Sequence, residues 1–309
     1  MVNEIAQLIK LQDYITRYDW DTYRYPSQYI RLKKDNWNKL YEKWSQPVQV
    51  MEEITFPVEK ESKFTKWKEK VIKRKSLDNE IRQENDLPKT EQGLKQYFLD
   101  EILKFQLKWA TSTVANTSFM NKSYMDDPTL KYFLQRFPDT YLVMYNPVFT
   151  IKKAPIDGEI ILISPIGIEI IYVMEERPSS VIIAGDERTW TVKADRQQTK
   201  RLSPLIALKR TEQIVKSILN THGIAFDIQK TILSRSNNIV FSSEPYKTKI
   251  IGTNEYDKWF LQKRKLEAPL KNTQLKASEA LLKHCQTTSV RRPEWEDESN
   301  SYPIIGAGL

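Results

Sequence analysis

Cysteine occurs once in the 309 residues, at Cys285, which excludes an intrachain disulfide and a cysteine-based zinc site. Histidine is nearly as scarce. His222 and His284 are the only two, and neither has a partner at a zinc-ligand spacing. That argues against a zinc enzyme and against histidine-based phosphodiesterase chemistry. Cys285 beside His284 is sequence adjacency, not catalytic geometry, and no Ser-His-Asp arrangement has local support. With eight glycines in the chain, neither a Walker loop nor a dinucleotide fingerprint is present. No run of eighteen apolar residues occurs, so no membrane span is expected. Met-Val-Asn-Glu-Ile at the start has no basic n-region, and no signal peptide is expected. These absences lead to the expectation of a soluble, cytoplasmic protein without membrane contact.

What is present is charge and aromatic surface. Lys and Arg number 48 against 40 Asp and Glu, a balance of +8. The excess is local: residues 191–292 hold 20 Lys+Arg and 8 Asp+Glu, a difference of +12, so the remainder sums to −4. A basic half points to acidic partners, nucleic acid first, against the plain reading of a solvated basic surface.

The chain divides by pattern. Residues 1–89 read as a helical N-terminal region, 90–290 as an α/β domain with C-terminal helices, and 291–309 as a flexible polar tail. In the first region, Ile30, Lys33, Trp37, Leu40, Tyr41 and Trp44 fall at helical spacing, with Ser27 as candidate cap. A basic helix is expected through Phe64, Trp67, Val71 and Ile72, and another over 91–111. Asp127-Pro128 opens a short helix. Strands are expected over 140–151, 159–164, 167–174, 180–183, 190–192, 226–233, 239–241 and 249–251. Pro204 starts a helix between them, and two helices follow over 255–265 and 269–285. The order predicts an α/β (α+β) fold with a mixed central sheet flanked by helices.

The run from Asp157 to Met174 contains two β-branched strands around Pro165-Ile166-Gly167, a hairpin at the centre of the core. Hydrolysis of a phosphodiester with Mg²⁺ needs carboxylates converging on a hard cation and a charge stabiliser such as Lys. A sheet can supply them from one acid and, on the next strand, Glu and Lys two residues apart, which share a face. Asp157 and Glu159 offer the acid. Thirteen residues beyond Glu159 stands Tyr172, and two further Met174, where Glu and Lys would be needed. Glu169 lies three before Tyr172, so a regular strand points it to the opposite face, and Glu176 falls at the strand end. The alternative is an ordinary central strand pair with Tyr and Met in the core.

The order of these segments resembles the nuclease-related domain family, often called NERD, of the restriction-endonuclease-like fold. The likeness rests on the Asp157–Met174 hairpin, on Trp190 with the Ser203-Pro204-Leu205 helix start, and on Thr231-Ile232-Leu233-Ser234. It spans roughly residues 90–252. The resemblance implies a metal-dependent nuclease ancestry and DNA processing. Position by position, Glu159 keeps an acidic role, whereas the family's Glu falls on Tyr172, its Lys on Met174 and its helix Gln on Ala207. A degenerate nuclease, a pseudoenzyme with no catalytic residue and no metal or other cofactor, is therefore expected. The alternatives are an active Mg²⁺ nuclease with Asp157, Glu159 and a displaced Glu169 or Glu176, and a structural interaction module.

Candidate phosphate contacts are Lys200, Arg201, Lys209 and Arg210 around the Pro204 helix, and Lys258, Lys263, Arg264 and Lys265 near the aromatics Trp259 and Phe260. An amphipathic helix with a solvated basic face is the plainer reading of the second group. Trp20, Tyr23, Tyr25, Tyr29, Trp37, Tyr41 and Trp44 could stack bases, pack helices, or dock a DNA-processing protein. DNA and RNA both remain open as partners.

Overall fold

The first element departs from the helical expectation. Gln7–Leu11 (β1) is a buried strand in the computed structural model, which describes residues 5–45, 87–194 and 197–292. Its polar residues disguised it. Gln7 and Lys10 are both fully buried, and each has backbone partners: Gln7 donates to Pro26 O and Asp139 O, Lys10 to Tyr14 O. Helix Arg24–Ser45 (α1) starts earlier than a Ser27 cap would allow, because Asp21 Oδ1 accepts from the backbone N–H of Tyr23 and Arg24. Lys33, the one polar residue in its expected apolar stripe, is buried and ion-paired with Asp139 at 2.5 Å. The basic helix expected through Phe64 and Trp67 lies outside the described residues. Glu91–Trp109 (α2) follows, capped by Thr90, then the short strand Asn116–Thr117 (β2) and helix Pro128–Arg136 (α3), capped by Asp127 as expected.

The strand-rich part comprises Leu142–Tyr145 (β3), Val148–Ile151 (β4), Ala154–Asp157 (β5), Ile160–Ser164 (β6), Gly167–Val173 (β7), Val181–Ile183 (β8), Thr189–Ala194 (β9) and Gln197–Leu202 (β10). Helix Pro204–Thr221 (α4) leads to Ile228–Leu233 (β11), Asn238–Val240 (β12) and Thr248–Ile251 (β13). Helices Thr253–Arg264 (α5) and Asn272–Lys283 (α6) and the strand Val290–Arg291 (β14) complete the described chain. Six strands form a mixed central sheet in the order β1-β3-β6-β7-β11-β13. β6 runs antiparallel to β3 and β7, whereas β7, β11 and β13 are parallel. α4 makes the crossover that the parallel β7–β11 pairing requires. The fold is α/β, a mixed sheet flanked by helices, with a helix in the N-terminal segment.

Both faces of the sheet are covered, which is why β6 and β7 read as nearly continuous apolar runs. On one face Ile161, Ile163, Ile168, Ile170 and Ile232 pack with Leu208, Val215 and Ile218 of α4 and Leu281 of α6. On the other, Leu162, Ile171, Leu233 and Ile251 pack with Phe133 of α3 and Trp259 of α5. The N-terminal aromatics serve mainly as packing: Tyr25 and Tyr29 are buried, Trp37 meets Phe98 of α2 at 5.2 Å, and Trp44 donates to Pro88 O. Trp20, Tyr23 and Tyr41 are exposed.

A second sheet, β10-β9-β8-β12, buries Trp190. β10 has no buried residue, and only pairing with β9 makes it a strand. The β4–β5 hairpin turns through Lys152-Lys153, both at positive φ (50° and 68°), a turn that favours Asn-Gly. Neither β5 nor β10 was expected. Among the described residues no helix is long and apolar enough to cross a membrane.

Candidate functional site

Glu159 enters β6 from the turn after β5 and is held by its own backbone, whose N–H donates to Thr211 Oγ1 of α4 at 3.1 Å. Its carboxylate stands 3.7 Å from the Arg210 guanidinium. Burial raises its pKa, with Arg210 pulling the other way and Asp157 adding to the rise. The register that pairs Ile160 with Ile171 brings Tyr172 alongside Glu159. Tyr172 is half-buried, and its phenol is pushed upward first by desolvation and then by the Glu159 charge, while Arg201 opposes both. Met174 is buried and donates its backbone N–H to Leu233 O. Ala207 lies one turn before Thr211 on the same face of α4. Asp157 ends β5 and is exposed.

This arrangement does not fit a hard divalent cation. Beside Glu159 stand a phenol and a guanidinium that already supplies positive charge, where oxygen anions would be needed, and Met174 is a core thioether that offers no charge. Among the described residues no three His, Cys, Asp or Glu side chains gather as a metal-binding set. The proposed replacement acids do not complete one. Glu169 projects to the other face of the sheet, as strand parity requires. There it accepts from Trp259 Nε1 at 3.1 Å and Thr231 Oγ1 at 2.5 Å, and pairs with Lys263 at 2.5 Å. Glu176 is held by two N–H groups of Arg201, the nearer at 2.8 Å.

The basic candidates separate into two groups. Lys200, Arg201, Lys209 and Arg210 lie around the start of α4; Lys258, Lys263, Arg264 and Lys265 lie on or just after α5, against the opposite face of the central sheet. They do not form one patch. Several also face acids: Arg201 meets Glu176, Lys209 meets Glu187, and Arg210 meets Glu159. Lys263 turns inward to Glu169 and lies 5.8 Å from the Trp259 ring centre, whereas Lys258 and Lys265 are exposed. Residues 151–190 contribute 4 Lys+Arg and 7 Asp+Glu, a balance of −3. The +12 of residues 191–292 therefore becomes +9 over 151–292.

Two groupings were not visible in the sequence. His222 and His284 end α4 and α6 with rings edge to face at 5.3 Å. A pocket of about 420 Å³ opens beside α4, lined among others by Lys209, Lys216, Lys230 and Tyr246. Its walls come from Glu187 in the loop between β8 and β9, from α4, β11 and β13, and from the turn before β13, so no local motif announces it.

No family model matches the chain, and no solved structure matches it. A stretch of 40 residues, 13% of the chain, is 45% identical to an RNA 2′,3′-cyclic phosphodiesterase of Geobacillus stearothermophilus. The match spans 13% of that protein, about an eighth of its length.

Proposed function

We propose that the chain is a cytoplasmic nuclease-related protein of restriction-endonuclease-like ancestry that binds nucleic acid without cutting it. The observation that carries the reading is the neighbourhood of Glu159. Arg210 lies 3.7 Å from its carboxylate and supplies positive charge there, and Tyr172 stands at the position that the family resemblance gives to the second carboxylate. The β6–β7 hairpin, the α4 crossover and parallel β11 agree with that ancestry. Retention of net positive charge over the α/β part, after its acids are counted, supports an anionic polymer as the ligand. The 40-residue match is too short to carry an activity across.

Binding to labelled single- and double-stranded DNA and RNA tests this reading as salt is varied. Affinity is expected at low salt and should fall steeply; four phosphate contacts give a slope of log K on log salt of about −3 for single strands. No measurable affinity at about 50 mM salt, below the range where such contacts are screened out, would remove the nucleic-acid reading.

A further inference from the structure

The pocket beside α4 is built from four pieces of chain, one of them Glu187 in the loop between β8 and β9. Lys209, Glu212, Gln213 and Lys216 line one wall; their spacing of three and four places them on a single stripe of α4. Lys230 of β11 and Thr248 of β13, direct cross-strand partners, form the floor. The opposite wall is the Pro245-Tyr246 turn.

Each piece is fixed. Glu212 and Lys230 form a buried pair at 2.5 Å, and the other oxygen of Glu212 holds Lys216 at 2.8 Å. Lys216, half exposed, is thereby held over the opening. Lys209 reaches Glu187 at 2.5 Å and is also about half exposed. The turn is stitched down: Thr248 donates its N–H to Pro245 O and its hydroxyl to Tyr246 O, and Lys230 N–H donates to Lys247 O. Glu244 accepts from the N–H of Ile250, and Lys247 sits at φ 48° with its ammonium 2.8 Å from Asp227. Five contacts thus anchor a turn whose tyrosine is 84% exposed. A solvent-facing ring on a backbone-anchored turn, lining one pocket with two half-exposed, acid-paired ammonium groups, supplies what nucleotides require: a π-face for the base and cations for the phosphate.

We propose that this pocket binds a nucleotide unit of single-stranded nucleic acid, with the base stacked on Tyr246 and the phosphate held by Lys209 and Lys216. Glu212 and Lys230 are positioning residues that aim Lys216. The site is separate from the Glu159 hairpin: Arg210 and Thr211 contact Glu159, and neither lines the pocket. The polymer as ligand rests on the nucleic-acid reading above; the nucleotide chemistry of the pocket does not.

The test is fluorescence anisotropy of labelled dT12 and rU12, with calorimetric titration of uridine monophosphate beside it. It uses the full chain and its Tyr246→Ala, Tyr246→Phe and Lys209→Gln variants. Tyr246→Ala should weaken oligonucleotide binding about five- to hundredfold, and Tyr246→Phe should stay within about twofold of the parent. Lys209→Gln should make the salt slope shallower by about 0.7. Oligonucleotide binding indifferent to Tyr246→Ala would overturn the pocket and leave the nucleic-acid reading standing. Binding of the mononucleotide alone, dependent on Tyr246, would uphold the pocket and overturn the polymer. Binding of neither probe overturns both.

Discussion

Lys263 separates charge used for folding from charge used for a ligand. In the sequence it belongs to the run Lys263-Arg264-Lys265, a plausible phosphate contact. In the fold its ammonium lies 2.5 Å from Glu169, whose side chain is 7% exposed while that of Lys263 is 20% exposed. Removing one partner of a buried ion pair leaves the other charge uncompensated, at a cost of about 3–5 kcal/mol. Here Thr231 and Trp259 still donate to Glu169, and Lys263 is not fully enclosed, so about 3 kcal/mol is the better figure. For Lys263→Met the loss corresponds to a drop in Tm on the order of 5–10 °C. Adding Glu169→Gln removes the stranded charge while keeping an acceptor for Thr231 and Trp259, and should recover more than half of the loss. Lys265→Met, on the exposed side, should change stability by less than about 0.5 kcal/mol. Urea unfolding of these chains and of Glu169→Gln alone, five in all with the parent, gives the double-mutant coupling and measures this directly. A Lys263→Met variant with the parent's unfolding midpoint and a weakened affinity for oligonucleotides would refute the structural role.

Three further perturbations test other parts of the account. Glu159 is raised in the fold, so its folded state binds a proton more readily than its unfolded state. The cost of its carboxylate is therefore absent below the ordinary value of 4.5 and fully present above the raised one. Glu159→Gln should unfold at higher temperature than the parent at pH 7 and match it near pH 4, and a gain that persists at low pH would contradict this. Replacing Lys152-Lys153 by Asn-Gly places suitable residues in a turn with two positive φ values and should stabilise by about 1–2 kcal/mol in urea unfolding. Asp127→Ala removes a cap that accepts from Thr129 and Leu130 N–H and from the Tyr145 hydroxyl; it should cost about 1–2 kcal/mol, and Asp127→Asn much less.

The sheet's centre was legible because its physics is local. The β6–β7 hairpin, the Pro204 helix and the Asp127 cap each carry their own signal within a few residues. β1 was not, because Gln7 and Lys10 are buried by partners more than a hundred residues away as well as nearby ones, and no pattern in QLIKL announces those partners. β10 exposes every residue and owes its form to β9 alone. The β4–β5 turn uses two lysines where Asn-Gly would have been the readable choice. Parity along β7 gave the placement of Glu169 correctly; the inward turn of Lys263 toward it is a tertiary fact. The charge count located a basic half but not its pairing, since the partners Glu159, Glu176 and Glu187 stand upstream of that half. The lysine pocket escaped because its walls come from segments far apart in the chain.

The central claim is that the surroundings of Glu159 do not support metal-dependent phosphodiester cleavage. Purified protein is incubated with end-labelled single- and double-stranded DNA and RNA in Mg²⁺ and in Mn²⁺, beside Glu159→Ala. No cleavage above the protein-free blank is expected, and no difference between the two chains. Metal-dependent cleavage by the parent that disappears in Glu159→Ala would contradict it.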